Sequence, residues 1–350
     1  MINKRMICIG IVALLCIGGA SCAGEASETG AQEEGMQEDC MEEASTAQTG
    51  TYPGVIANPQ VLDLKNNTQE TLNVATYITK VADTYFIADC YHNQIICSDT
   101  LGAPLTEWKV LTDEVHYAHT IASDGELLLV DDTENNRLLV FMKTADGYAH
   151  TQTLENIGLK PHYVQYDAQN KVFLAWSSIT GEMYFLKRDG SYLYIEKVLK
   201  IDELYGVYVR SFTLMEDAVY FVSGHNNQKI IKAVLNESGD TFEIVETYAV
   251  PDEIAGMVQL TKIQDYYYIT VSTDNRENQD FATIIRCRDL GELADGGWED
   301  IYGAFGVSSG TPYYITQIDG RYYMAHHRTA ENIIVFDITD NEIRNVGVLY

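Results

Sequence analysis

An all-β fold assembled from one repeated unit is what this sequence predicts, and three observations carry the prediction. First, a short apolar run recurs six times: Tyr85-Phe86-Ile87-Ala88-Asp89, Leu128-Leu129-Val130-Asp131-Asp132, Val172-Phe173-Leu174-Ala175-Trp176, Val219-Tyr220-Phe221-Val222-Ser223, Tyr266-Tyr267-Tyr268-Ile269-Thr270 and Tyr322-Tyr323-Met324-Ala325-His326. A period of roughly 40 to 50 residues belongs to propellers and solenoids. Second, each run has the same company. An alternating strand and a tight turn precede it, as at Ser123-Asp124-Gly125, Asp167-Ala168 and Asp319-Gly320, where small or Asx residues take up positive φ. Third, 24 Tyr against 10 Phe favours strands that keep one end of the ring wet.

The remaining strands follow in order. A polar loop after each run leads to a third apolar strand, such as Ile95-Ile96-Cys97, Leu138-Leu139-Val140-Phe141, Met183-Tyr184-Phe185 or Ile333-Ile334-Val335-Phe336. A fourth, weakly patterned strand fits after most of these, for example over residues 192–198 and 242–250. Four antiparallel strands repeated six times describe a six-bladed β-propeller over residues 51–350, closed radially so that only short edges remain. The segment around residues 61–65 would either close the ring or cover an edge.

The chain ahead of the repeats reads differently. Lys4 and Arg5 precede an apolar stretch over residues 6–20, and small residues lead up to Cys22. The stretch falls short of the roughly 20 residues a membrane span needs. Residues 1–21 are therefore expected to be a signal peptide. They resemble a bacterial lipoprotein signal, which implies lipidation at Cys22 and an exported, envelope-anchored protein. Gly19 stands where that signal usually has an aliphatic residue, so cleavage and release is the alternative. Residues 22–50 are expected to be an acidic disordered tether, since residues 23–50 hold eight acidic residues and no basic or aromatic ones.

The net charge of −28 excludes nucleic acid and anionic membrane surfaces as partners reached through bulk electrostatics, leaving the lipid as the only membrane contact. Residues 1–50 carry −6 of it, two basic against eight acidic residues, so −22 lies on the body. Cys90, Cys97 and Cys287 have no disulfide-framework or metal-site spacing.

Two hairpins bear a family likeness. Asp89-x-x-His92-Asn93-Gln94-Ile95 and Asp132-x-x-Asn135-Asn136-Arg137-Leu138 resemble the D-x-x-N-x-R-I hairpin of NHL-type six-bladed propellers. The pattern decays elsewhere, to Ser223 and Gln228 in the fourth repeat and to His327 and Asn332 in the sixth. The resemblance implies the fold; chemistry has to be argued from a site.

In a propeller the innermost strand of each blade starts on the face where the second strand ends, so residues at both places converge on the mouth of the central channel. The inner-strand starts are Thr76, His119, His162, Arg210, Val258 or Gln259, and Tyr313 or Tyr314. The second-strand ends and their loops add Asp89, His92, Asp132, Trp176, His225, His326 and His327. The ligand-binding candidates are accordingly His119, His162, Arg210, Tyr313, Tyr314, His326, His327 and Trp176. Of His326 and His327, adjacent on an extended strand, only one reaches a common site. His116 and His150 are expected to have no chemical role.

His119 and His162 are the candidate ligands for a divalent metal such as zinc, Arg210 would hold an anionic group, and Tyr313 or Tyr314 would exchange a proton. Some NHL-type relatives, such as the lyase that cleaves peptidyl hydroxyglycine, hold zinc at the channel mouth in this manner. Alternatively, these residues merely satisfy the inner-strand ends. Residues 272–280 contain Asp274, Asn275, Glu277, Asn278 and Asp280, oxygen donors suited to calcium but not in EF-hand order. The long connection 288–311, with Trp298, Tyr302 and Phe305, is expected either to cover the mouth as a ligand-contact loop or to pack against blade six.

Three functions remain open. The first is a surface propeller binding a glycan, peptide or envelope protein. The second is a metal-dependent hydrolase or lyase, and the third a structural envelope-assembly module. No G-x-S-x-G, P-loop, H-E-x-x-H or dinucleotide motif is present.

Overall fold

A computed structural model describes residues 52–350 apart from 225–226 and 308–309. The expectations for residues 1–21, the tether, Cys22 and His225 lie outside the described residues. Six four-stranded antiparallel sheets form the blades of a β-propeller, each made of four strands consecutive in sequence. Blade 1 is β1 (Ala75–Val81), β2 (Thr84–Asp89), β3 (Gln94–Ser98) and β4 (Lys109–Thr112). Blade 2 is β5 (Ile121–Ser123), β6 (Leu127–Asp132), β7 (Arg137–Thr144) and β8 (Gly147–Leu154). Blade 3 is β9 (Pro161–Asp167), β10 (Val172–Ser177), β11 (Glu182–Asp189) and β12 (Tyr192–Lys200). Blade 4 is β13 (Ser211–Met215), β14 (Ala218–Val222), β15 (Lys229–Leu235) and β16 (Phe242–Ala249). Blade 5 is β17 (Met257–Ile263), β18 (Tyr266–Val271), β19 (Thr283–Cys287) and β20 (Glu299–Asp300). Blade 6 is β21 (Thr311–Ile318), β22 (Arg321–His327), β23 (Ile333–Thr339) and β24 (Glu342–Val348).

Burial explains which strands the sequence announces. β6, β10 and β14 are buried at every residue because both faces pack on neighbouring blades, so they read as unbroken apolar runs. The outer strands β16 and β24 are mostly exposed, and their pattern is correspondingly weak. The hairpin turns between first and second strands take positive φ at Gly125 and at Asp319-Gly320 as predicted, but at Lys171 in blade 3 and at Ala82, Glu216 and Gln264 elsewhere. In blade 3, Asp167 closes the turn by accepting from the amides of Gln169 and Asn170.

The D-x-x-N-x-R hairpins turn out to be clamps between blades. Buried Asp132 accepts from Asn135 Nδ2 and Arg137 Nε, and also from the His116 amide in the connection between blades 1 and 2, at 2.7 Å. Asp89 repeats this with His92 Nδ1, Gln94 Nε2 and the Asn73 amide. The next Asn of each motif is left-handed, Asn93 at φ 55° and Asn136 at φ 53°, and its side chain accepts from the amide opening the following blade, Tyr117 or Lys160. Ser177 does a reduced version of this work in blade 3, accepting from the Leu159 amide.

Residues 53–67 do not close the ring. They run along the outside, bridging β8 through Val55 and Val61 and β4 through Asn66, which covers the outer edges of blades 2 and 1. A Cβ on Gly54 would sit 1.6 Å from the Thr153 carbonyl oxygen, so this strap passes only with glycine there. Blade 6 closes on blade 1 through β21 and β22 against β1, and Tyr350 adds to it, its OH meeting the Gly102 amide, Trp108 Nε1 and the Ala103 carbonyl of blade 1. Tyr52 stacks on Tyr192 and bonds Asp189, beside the β11–β12 turn on the face opposite the second-strand ends. Cys90, Cys97 and Cys287 are free and buried, and among the described residues no helix is long and apolar enough to cross a membrane.

If Asp132 is an interblade clamp, Asp132→Ala removes the shared acceptor of His116, Asn135 and Arg137 and should destabilise the propeller by about 2–4 kcal/mol. Glu216→Ala, on an exposed turn, should stay within about 0.5 kcal/mol. Denaturant midpoints of the two variants check the difference.

Candidate functional site

The inner strands meet the channel with an irregularity at the same place in most blades. β-Bulges fall between Ala75 and Tyr77, at Trp176/Ser177 opposite the start of β9, between Met257 and Gln259, and between Pro312 and Ile315. A bulge re-aims the side chain it leaves unpaired. Here those side chains are Thr76, His162, Val258, Tyr313 and Tyr314. In blade 6 both tyrosines fall inside the bulge, with their rings edge to face at 5.0 Å.

Tyr314 spans the channel. Its hydroxyl donates to the Arg210 carbonyl of blade 4 at 3.0 Å and lies 3.2 Å from His162 Nδ1 of blade 3. Tyr163 and Tyr77 pack against its ring at 5.1 and 6.0 Å, and Tyr314 is wholly buried. It therefore forms a floor beneath the mouth. On that floor His119 and His162 stack face to face, with ring centroids 3.8 Å apart, and Tyr313 lies 5.9 Å beyond His119.

Hydrogen-bond partners fix the imidazole tautomers. His162 Nδ1 faces the Arg210 carbonyl at 3.0 Å, so it carries the proton and Nε2 holds the lone pair. His162 Nε2 is buried, and among the described residues no partner reaches it. His119 Nδ1 meets Thr133 Oγ1, which itself bonds buried Asp131, and its Nε2 lies 3.9 Å from Cys90 Sγ. Burial, seconded by Arg210, pushes the His119 pKa down to about 3; burial, His119 and Arg210 push His162 well below its ordinary value. Burial also pushes the Asp131 carboxyl up to about 7, against the bonds it receives from His119, Thr120 and Thr133. The Cys90 thiol is raised by the same desolvation and is no thiolate nucleophile.

Arg210 is the cation of the mouth. Its Nη1 donates to Ser272 Oγ at 2.7 Å and its Cζ lies 5.4 Å from the centroid of Tyr208. Among the described residues no carboxylate pairs with it. Its charge reaches His119, His162, His327 and Tyr313, which places all four around it. The rim is aromatic: Tyr91, 42% exposed, has Tyr117 at 5.1 Å and His327 at 5.3 Å, and His116 sits 4.5 Å from Tyr117.

The structure thus gathers His119, His162, Arg210, Tyr313, Tyr314 and His327, and places two predicted residues elsewhere. Trp176 is fully buried between blades 3 and 4, its Nε1 on the Val209 carbonyl and its ring 4.6 Å from Phe221; indole fills an interblade core rather than the mouth. His326 is buried under the 288–311 connection. Its Nε2 lies 2.8 Å from Tyr302 OH, which donates to the Gly310 carbonyl. Gly310 has φ +100°, and a Cβ there would lie 2.9 Å from His326 Cε1, so the pin needs glycine. The connection supplies β20 to blade 5 and sends Phe305 edge to face onto Phe336 of blade 6 at 5.0 Å, so it packs on blade six. Tyr91, Tyr117, Tyr208 and Ser272 were not singled out from the sequence, because they lie on loops or beside the inner strands. Placing loop aromatics on the mouth face was the signal that would have found them.

Metal chemistry finds little geometric support. Stacked imidazoles present parallel rather than convergent nitrogens, each Nδ1 is engaged, and among the described residues no group of three or more His, Cys, Asp or Glu is disposed to hold an ion. Within 272–280, Asp274 Oδ1 accepts from the amides of Arg276 and Asn278, and Asn278 Oδ1 from that of Asp280. These oxygens shape the loop. Two surface concavities lie away from the mouth, one beside Tyr350 and one between the β9–β10 and β13–β14 turns on the opposite face.

No protein-family model matches the chain, and no curated protein does. Solved structures do. A proposed 6-phosphogluconolactonase from Bacteroides fragilis superposes with a TM-score of 0.55 at 12% identity, over 77% of this chain and 82% of its own. A streptogramin B lyase gives 0.54 at 17%, over 81% and 85%. A chain of a nidogen/laminin complex gives 0.50 at 13%, over 75% and 92%. Identities this low show the shared propeller fold, which hosts unrelated functions.

The buried imidazoles predict an acid limb in stability. Unfolded, a histidine takes up its proton near pH 6.5; folded, His119 resists until about 3 and His326, buried beside Arg328, until about 4. The unfolded state therefore binds more protons below pH 6.5, and stability should fall on acidification by about 1.4 kcal/mol per pH unit for each such histidine. Asp131 opposes this, because its folded form holds a proton from about pH 7 down to its unfolded value of 3.8. Unfolding titrations between pH 7 and 4.5 should show a net loss, and His119→Asn should flatten the slope.

Proposed function

We propose that this protein is a bacterial cell-envelope lipoprotein, exported and anchored at Cys22, whose propeller binds a ligand at the channel mouth. The observation that carries the binding reading is the mouth itself: Arg210, held by Ser272 and Tyr208 and without a carboxylate partner among the described residues, beside exposed Tyr91 and half-buried Tyr117 and His327. A cation left uncompensated in a partly buried cleft is destabilising unless hydrated or paired with an incoming anion. Neutral, hydrogen-bonded imidazoles serve such a cup as shape and polarity, whereas a base with its pKa near 3 is a poor proton acceptor at neutral pH.

Glycans, peptides and other envelope proteins are the partner classes this reading covers, and an array of glycans and peptides tests it. Wild-type signals should disappear in a Tyr91→Ala/Arg210→Ala double variant whose thermal unfolding is unchanged; retained signals would sink the mouth as the site. Cys22→Ala should shift the protein out of the detergent phase in partitioning experiments, and unchanged partitioning removes the lipid anchor.

A second reading, a metal-dependent hydrolase or lyase, draws on the unengaged Nε2 of His162 beside His119. Metal analysis of the purified protein decides it. A stoichiometric divalent ion lost on His119→Ala would favour the enzyme, and metal-free protein that still gives array signals would favour binding.

A further inference from the structure

We propose that the ligand of the mouth is an acidic saccharide, a pyranose bearing a single carboxylate; this rests on the binding reading above. Three features select that chemistry together. A guanidinium presents a planar fork matched to carboxylate, and among the described residues the hydrogen-bond partner of Arg210 is the neutral Ser272 hydroxyl, at Nη1. The imidazoles around Arg210 are held neutral, and the nearby Lys160 and Arg328 are paired with Glu134 and Glu331, so among the described residues Arg210 is the mouth's cation without a carboxylate and accommodates one negative charge.

His162 Nε2 supplies the second requirement. It is a fully buried acceptor that no described residue satisfies, in a ring whose other nitrogen is committed to the Arg210 carbonyl and whose stacked neighbour His119 is itself bonded to Thr133. An acceptor buried this deeply asks for a small O–H donor, a water that fits beneath the surface and that a sugar hydroxyl at the mouth can engage in turn. The third feature is the rim, where the exposed Tyr91 ring, backed by half-buried Tyr117 and His327, offers an aromatic face suited to the flat C–H face of a sugar ring.

An extended peptide is less well served. Strand addition needs free main-chain groups, and the inner-strand carbonyls at the mouth are already taken: that of His119 by Thr76, that of Arg210 by His162 and Tyr314, and that of Val258 by Ser211.

The test uses the purified full chain titrated with methyl glucuronide, methyl glucoside and glucose 6-phosphate, followed by ligand-observed NMR. The glucuronide should bind about tenfold or more tightly than the glucoside, and Arg210→Gln should erase that preference while leaving thermal unfolding unchanged. Arg210→Lys should recover only part of it, because an ammonium lacks the fork. Tyr91→Ala should weaken both sugars alike. Equal affinity for glucuronide and glucoside, with both weakened by Tyr91→Ala, overturns the acidic-saccharide assignment and leaves the mouth as a binding site. Tighter binding of the phosphate ester than of the glucuronide overturns the carboxylate. Binding of neither sugar overturns this inference, and the array with the double variant then decides separately whether the mouth binds anything.

Discussion

Around the channel, six inner strands splay from a common axis and cannot form a continuous ladder with one another, so their facing main-chain groups must be satisfied by side chains. The sequence meets this constraint blade by blade. Thr76 Oγ1 donates to the His119 carbonyl, Thr120 Oγ1 accepts from the Val164 amide, and His162 Nδ1 serves the Arg210 carbonyl. Ser211 Oγ donates to the Val258 carbonyl, the Gln259 amide pairs with both main-chain groups of Ile315, and Thr316 Oγ1 returns to the Ile78 carbonyl of blade 1. The belt is closed. All of its members but the half-buried Thr316 are buried, so each bond lost among them would leave a desolvated carbonyl or amide costing about 1–3 kcal/mol.

That belt explains why the channel holds histidines that are not bases. His162 is placed to finish a main-chain accounting problem, and its burial keeps it neutral. His119 joins an adjacent polar cluster, Thr133 and Asp131 on one side and Cys90 on the other. What the belt does not consume stands out by contrast. Arg210 contributes its carbonyl to the ring and sends its side chain toward the mouth, while the His162 imidazole uses one nitrogen and leaves the other. The bulge at Pro312–Ile315 then swings Tyr314 across the channel, where its buried hydroxyl bonds the Arg210 carbonyl of blade 4.

Most of the fold was legible because burial on both faces leaves an unmistakable mark. β6, β10 and β14 have no exposed residue, and a strand under that constraint has to be apolar throughout. The outer strands were faint because β24 and β16 face solvent, and β20 has only two residues, within a connection that otherwise reads as a loop. At the site, period-2 counting placed His119, His162, Arg210 and Tyr314 on the channel. The bulges that aim them add a residue without any composition signal, and so Trp176, one strand outward, was placed at the mouth when its indole belongs to the interblade core. The family-like hairpins were recognisable as a pattern, but their purpose, tying each blade to the next through Asp132 and Asn136, appears only when the distant amides of His116 and Lys160 are seen beside them.

The acidity of the body and the cation of the mouth are linked. A net charge of −28, most of it on the propeller, repels anions at long range, yet at physiological salt such a field fades over about 8 Å. Inside a partly desolvated cup the neighbouring Arg210 dominates, because attraction strengthens as the local dielectric falls. The two effects scale differently with ligand charge. Repulsion during approach grows with every added negative charge, while a single guanidinium gives its full bidentate reward to the first carboxylate alone. Under the proposed reading such a surface would discriminate by charge count: polyanions would meet more repulsion without gaining a second contact, neutral ligands would forgo the Arg210 contact, and a singly charged ligand would gain that contact for the least repulsion.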